Sequence, residues 1–149
     1  MEITEDKIIR EPIGRLMSHI GRMFLANLNQ QLAHLDIERS YFPLLVIEAH
    51  NGSLSQQELA SLLSCDKVQV VRIIDYLSTN GYVSRGQNSE DRRKCNLELT
   101  DKARRYLPDI KEALHQTTLI SLNYLSEEKI NELYSILKTI ENNLACNTK

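Results

Sequence analysis

Glycine and proline are scarce in this chain, five and three in 149 residues, so a strand-rich fold with many tight turns has little room. The three cysteines, Cys65, Cys95 and Cys146, are odd in number, widely spaced and free of any C-x-x-C. That argues against a zinc ribbon or a disulfide framework and fits reduced thiols in the cytosol. No apolar run is long enough to span a bilayer. The opening Met1-Glu2-Ile3-Thr4-Glu5-Asp6 is acidic, where a signal peptide is basic and then apolar. A cytoplasmic protein with no membrane partner is expected. Catalytic patterns are missing too. His19, His34, His50 and His115 stand far apart, with no metal pair at helical spacing, no phosphate-cradling glycine loop and no nucleophile elbow. No enzyme, metal or cofactor is expected.

What is present is helical periodicity. At 42% hydrophobic, the chain can bury a core as one domain spanning 1–149. Ile13, Leu16, Met17, Ile20, Met23, Phe24, Leu28 and Leu32 recur at steps of three and four, predicting a helix from about Glu11 to His34. A second helix carries Leu44, Leu45, Ile47 and Ala49 and stops near Asn51-Gly52, with Pro43 either in its first turn or bending it. Ser55-Gln56-Gln57-Glu58 is a capping box opening a short helix. Asp66 caps the next helix, which runs to Asn80, and Gly81 suits its left-handed C′ position. Tyr82–Arg85 and Cys95–Leu99 read as two short strands, with Cys95, Leu97 and Leu99 facing inward. Thr100 caps a fifth helix, with a kink expected at Pro108, and a sixth begins at Ser126-Glu127-Glu128.

Charge is uneven along the chain. The net charge is −2, yet residues 53–105 hold nine Lys/Arg against seven Asp/Glu, and the rest nine against thirteen. Within 67–80, Val70, Ile73, Ile74 and Leu77 turn to the core, leaving Val68, Arg72 and Asp75 outward, flanked by Gln69, Val71 and Tyr76. Arg suits guanine, Gln suits adenine, and a valine methyl suits a thymine methyl. The plainer reading pairs Arg72 with Asp75 or Asp66 and packs the valines on neighbouring segments. The hairpin loop Asn88-Ser89-Glu90-Asp91-Arg92-Arg93-Lys94 could send an arginine to a narrow minor groove, or simply be a solvated turn.

These residues carry a resemblance. Ser55-Gln56-Gln57-Glu58-Leu59-Ala60 and Val70-Val71-Arg72-Ile73-Ile74-Asp75-Tyr76-Leu77 resemble the opening and the recognition helix of the helix-turn-helix in the MarR family of bacterial winged-helix transcription regulators, and Asn80-Gly81-Tyr82-Val83-Ser84-Arg85 its step into the wing. The 88–94 loop resembles its D-x-R-D-R-R wing, and Leu97-Glu98-Leu99-Thr100-Asp101-Lys102 its L-x-L-T-x-K stretch. Asn88 and Glu90 depart from the usual Asp and Arg, and Val68 and Val71 stand where small hydroxyl residues are common.

The resemblance implies a mainly α fold: a winged helix-turn-helix lobe over 37–100 with a two-stranded β-wing, and dimerisation helices over 10–35 and 101–146. It implies a homodimer on a pseudo-palindromic duplex, acting as a repressor relieved by a small aromatic or anionic effector. Lys67, Val68, Gln69 and Arg72 would meet the major groove. Arg92, Arg93 and Lys94 would serve the minor groove and phosphates, with Asp91 bracing an arginine. His19, Arg22, Met23, Tyr41 and Phe42 would line an effector cleft, unless they are only a packed joint. Ile130, Leu133, Leu137, Ile140 and Leu144, spaced 3, 4, 3, 4, form a seam that suits either core or dimer interface. Two other readings stay open: a winged-helix protein-interaction module docking through Val68, Val71 and Tyr76, and a redox-responsive regulator using Cys65.

Overall fold

The computed structural model describes residues 11–37 and 40–147. The acidic N-terminal segment, and with it the first residue of the expected 10–35 span, lies outside the described residues. The chain divides into two compact units, Met1–Leu114 and His115–Lys149.

In the first unit, α1 (Ile13–Gln31) starts directly after Pro12, whose carbonyl accepts from the Arg15 and Leu16 N–H groups. Its single apolar stripe has two fates. Leu28 and Leu32 are buried, whereas Ile13, Leu16, Ile20 and Met23 are 41–64% exposed. The helix is also shorter than its periodicity suggested, since His34 lies in the turn that follows. α2 (Tyr41–Ala49) holds Pro43 as its third residue, where an N–H has no intrahelical partner, so proline costs nothing there. Pro43, Leu44 and Ile47 are buried.

The next segment folds through its caps. Before α3 (Gln56–Leu62), the Ser55 N–H donates to Glu58 Oε2 at 2.8 Å, while the Glu58 N–H donates to Ser55 Oγ at 3.2 Å. Before α4 (Lys67–Thr79), Asp66 accepts from the Gln69 N–H at 2.7 Å. Val70, Ile74 and Leu77 are buried and Ile73 is half-buried, as the 100° step requires. Each fully buried Leu or Ile contributes roughly 1.5–3 kcal/mol, so this face, more than helix propensity, fixes the rotation of α4.

Gly81, at φ +78°, reverses the chain into β2 (Val83–Gln87), which pairs antiparallel with β3 (Cys95–Leu99) from Val83↔Leu99 to Gln87↔Cys95. The expected two-stranded wing is present, and the sheet extends beyond it. A third strand, β1 (Leu54–Ser55), pairs with the other edge of β3 through Leu54↔Leu97 and Ser55↔Asn96, giving the order β1-β3-β2. Two residues are too few to show period-two alternation, so the pattern hid it. β2 is also displaced from the expected Tyr82–Arg85, because Tyr82 is a fully buried core residue before the strand.

The end of the sheet is tied to the end of α4. Thr100 Oγ1 donates to the Gly81 carbonyl at 2.6 Å and accepts from the Ala103 N–H at 3.2 Å, capping α5 (Asp101–Ser121). Lys102 Nζ donates to the Asn80 carbonyl at 2.8 Å and lies 4.4 Å from the centre of the Tyr82 ring. The motif Leu97–Lys102 thus has a physical meaning: two leucines enter the core, and Thr100 and Lys102 satisfy carbonyls at the end of α4. α5 continues unbroken through Pro108.

In the second unit, Ser126 Oγ accepts from the Lys129 N–H ahead of α6 (Glu127–Asn147), with Glu127 and Glu128 in the first turn. No residue of α6 is buried. Tyr134, Ile136, Leu137 and Leu144 are 39–64% exposed, and Ile130, Leu133 and Ile140 are half-buried. Among the described residues, no helix is long and apolar enough to cross a membrane.

Candidate functional site

The outward face of α4 is the expected one. Lys67, Gln69 and Arg72 are exposed, Val68 is 62% exposed, and Val71 and Tyr76 are half-buried. Val68 thus offers its methyls on a polar face, a shape that suits a thymine methyl. Asp75 does not answer Arg72. Its Oδ1 lies 2.5 Å from Arg85 Nη2, joining α4 to β2. Arg85, which lines the groove described below, was not among the site residues expected from the sequence. The ten-residue gap between the partners conceals that a reversal at Gly81 brings them together.

The wing loop is organised by two side chains. Asn88 Oδ1 accepts from the Glu90 and Asp91 N–H groups at 2.8 and 3.1 Å, and Asn88 Nδ2 donates to Asn96 Oδ1 at 3.1 Å. The Asp91 carboxylate accepts from the Arg93 N–H at 2.9 Å. The loop is closed by backbone bonds between Asn88 and Lys94 and between Lys94 and Asp91. Asp91 therefore shapes the turn through main chain, and no ion pair between it and an arginine is found among the described residues. A carboxylate two residues from an N–H closes a local turn more readily than it reaches a long, solvated guanidinium. Arg92, Arg93 and Lys94 are left exposed at the tip.

Between the starts of α3 and α4 and the wing lies a groove of about 650 Å³. Lys67, Arg85, Arg93 and Lys94 line it with Gln57 and Ser64. Lys67, Arg93 and Lys94, with the Asp75-paired Arg85 among them and an exposed helix face beside them, form a surface suited to a polyanion. Glu58 has its carboxyl held below the usual range by its hydrogen bonds to Ser55, with smaller help from the charges of Lys94 and His50.

Cys65 and Cys95 also line this groove. Cys95 was expected to point inward, but it is exposed. It shares the strand face of Leu97 and Leu99 but is the first residue of β3, next to the wing loop. Cys65 is half-buried and Cys146 is exposed on α6.

The expected effector residues are less coherent. His19, Arg22 and Met23 are exposed on α1, with Arg22 Nη1 donating to Ser18 Oγ at 2.8 Å. Tyr41 is half-buried, with burial pushing its hydroxyl pKa up, and Phe42 is half-exposed on α2. Among the described residues, no hydrogen bond or ion pair joins the first three to the last two. No cluster of three or more metal-ligating side chains occurs among the described residues either.

Comparison with known proteins supplies the context. The family model described as MarR family matches residues 37–95. The transcriptional regulator SlyA has a similar structure, with a TM-score of 0.83 and 23% identity, over 90% of this chain and 94% of that one. A MarR transcriptional regulator from Methanosarcina mazei Go1 has a TM-score of 0.78 and 26% identity, over 90% and 97%. A mutant MarR from E. coli complexed with operator DNA has a TM-score of 0.78 and 24% identity, over 94% and 99%.

Proposed function

We propose that this chain is a MarR-family winged-helix transcription regulator that binds a pseudo-palindromic duplex as a homodimer. The observation that carries the reading is the conjunction of the open face of α4, with Lys67, Val68, Gln69 and Arg72, and the cationic wing tip of Arg92, Arg93 and Lys94. A helix of this kind suits a major groove, and the wing suits the adjacent minor groove and its phosphates. The structurally similar E. coli MarR mutant is complexed with operator DNA, which favours the same partner here.

Dimerisation is supported by apolar surface left uncovered in each unit. Ile13, Leu16, Met17, Ile20 and Met23 on α1, and Leu137 and Leu144 on α6, are at least 36% exposed. Ile130, Leu133 and Ile140 continue the α6 seam. Helical stripes of this composition are covered in a stable protein, and a second copy supplies the cover. Repression is the simplest outcome of a dimer occupying a promoter, and an aromatic or anionic effector acting through His19, Arg22, Met23, Tyr41 and Phe42 would relieve it. Free thiols at Cys65, Cys95 and Cys146 favour a cytoplasmic setting.

The test is a titration of the duplex upstream of the protein's own coding sequence. Binding of two protomers per duplex, competed poorly by random duplex, is expected. Failure of the purified protein to shift this duplex at low salt contradicts the reading.

A further inference from the structure

The groove between α3, α4 and the wing holds two of the chain's three thiols, and duplex binding gives neither a role. Cys95 is exposed beside Lys94, and Cys65 lies on the same concavity next to Lys67. Asp75 answers Arg85, and Glu58 lies near enough to Lys94 to feel its charge. No ion pair of Lys67, Arg93 or Lys94 is found among the described residues. A groove that offers thiols and positive charge together attracts an anionic thiol reagent and repels a cationic one.

We propose that this groove is a thiolation site for small anionic disulfides, with Cys95 as the first nucleophile and Cys65 as the second thiol of the site. In the exchange, the Cys95 sulfur attacks one sulfur of the reagent. The reagent's S–S bond breaks and a protein–reagent S–S bond forms. The departing half leaves as a thiolate and takes up the proton that Cys95 gave up. The protein sulfur is oxidised and the departing half is reduced, so no further oxidant is needed. The carboxylates of the attached group then face Lys67, Arg93 and Lys94, the cations that phosphates would otherwise meet. Loss of duplex affinity on thiolation rests on the proposed regulator reading; the thiolation itself does not.

Charge discrimination tests it. The full-length protein is incubated at low salt with glutathione disulfide or with cystamine, which offer the same exchange with opposite charge. Modified peptides are then quantified by mass spectrometry. Cys95 and Cys65 should react about ten-fold faster with glutathione disulfide than with cystamine, and added salt should shrink the ratio. Cys146, outside the groove, should show no such preference. An internal Cys65–Cys95 disulfide formed after the first exchange supports the site equally. The folded double variant Arg93→Gln/Lys94→Gln should lose the preference while keeping its thiols. Equal rates for the two reagents, a preference for cystamine, or the same ratio at Cys146 overturns the proposal. Duplex affinity before and after thiolation, and after dithiothreitol, is a separate arm. If mapping succeeds and the unmodified protein never binds duplex, the regulator reading fails alone.

Discussion

Asp75 and Arg85 form an ion pair at 2.5 Å between the outward face of α4 and the first strand of the wing. The pair crosses from the element proposed to read bases to the element proposed to hold the minor groove. Their side chains are 57% and 37% exposed, so solvent screens much of the attraction. Its main consequence is orientational: it holds β2 against α4 and withholds one cation from general phosphate binding.

Asp75→Asn should therefore change recognition more than stability. Urea unfolding should shift by less than about 1 kcal/mol, as for other exposed pairs. Binding to random duplex should strengthen and become more salt-dependent as Arg85 is released, while the preference for the specific duplex falls. A loss of both affinities in parallel would show that Asp75 serves folding alone.

The wing and the helix should fail differently. Arg93→Ala should weaken binding across sequences and reduce the slope of log affinity against log salt by about 1. Arg72→Ala should cost roughly 1–3 kcal/mol at particular base pairs and relax selectivity there. Anisotropy titrations with a panel of single-site duplex variants distinguish the two.

Placing a charge on the uncovered stripe of α1 tests the dimer. Ile20 is 55% exposed, so Ile20→Glu removes little intramolecular packing. Sedimentation should report a folded monomer, and affinity for a two-half-site duplex should collapse towards that for a single half-site. A variant that remains dimeric would place the interface elsewhere.

The capping box predicts an acid-sensitive contribution. The Glu58 carboxyl is held below its ordinary value of 4.5, chiefly by its bonds to Ser55. A depressed folded pKa adds stability that is complete above the unfolded value and is lost as pH falls through the folded one. Glu58→Gln should therefore flatten the acid limb of the stability profile below about pH 5, with the difference from the parent fading as acid neutralises the carboxylate. Chemical denaturation at a series of pH values measures it.

The sequence made some of this legible and concealed the rest for identifiable reasons. The caps at Ser55, Asp66 and Thr100 and the reversal at Gly81 are local, so residues three apart or a single glycine announced them. The buried face of α4 followed from its periodicity. The third strand is two residues long and pairs across some forty positions, below any pattern's reach. The Asp75–Arg85 pair and the meeting of Cys65 with Cys95 on one groove depend on the chain reversal. Only the three-dimensional fold brings those residues together. The stripe of α1 read as one continuous face, yet its first two-thirds remain open, because hydrophobic spacing does not say which molecule covers it.

The most direct test of duplex binding is the affinity of the purified protein for its own upstream duplex, measured from low to physiological salt. The expected result is saturable binding of two protomers per duplex, with log affinity falling steeply and linearly as log salt rises. Absence of binding at low salt contradicts it. So does affinity that is indifferent to salt, the behaviour of an apolar docking face on Val68, Val71 and Tyr76.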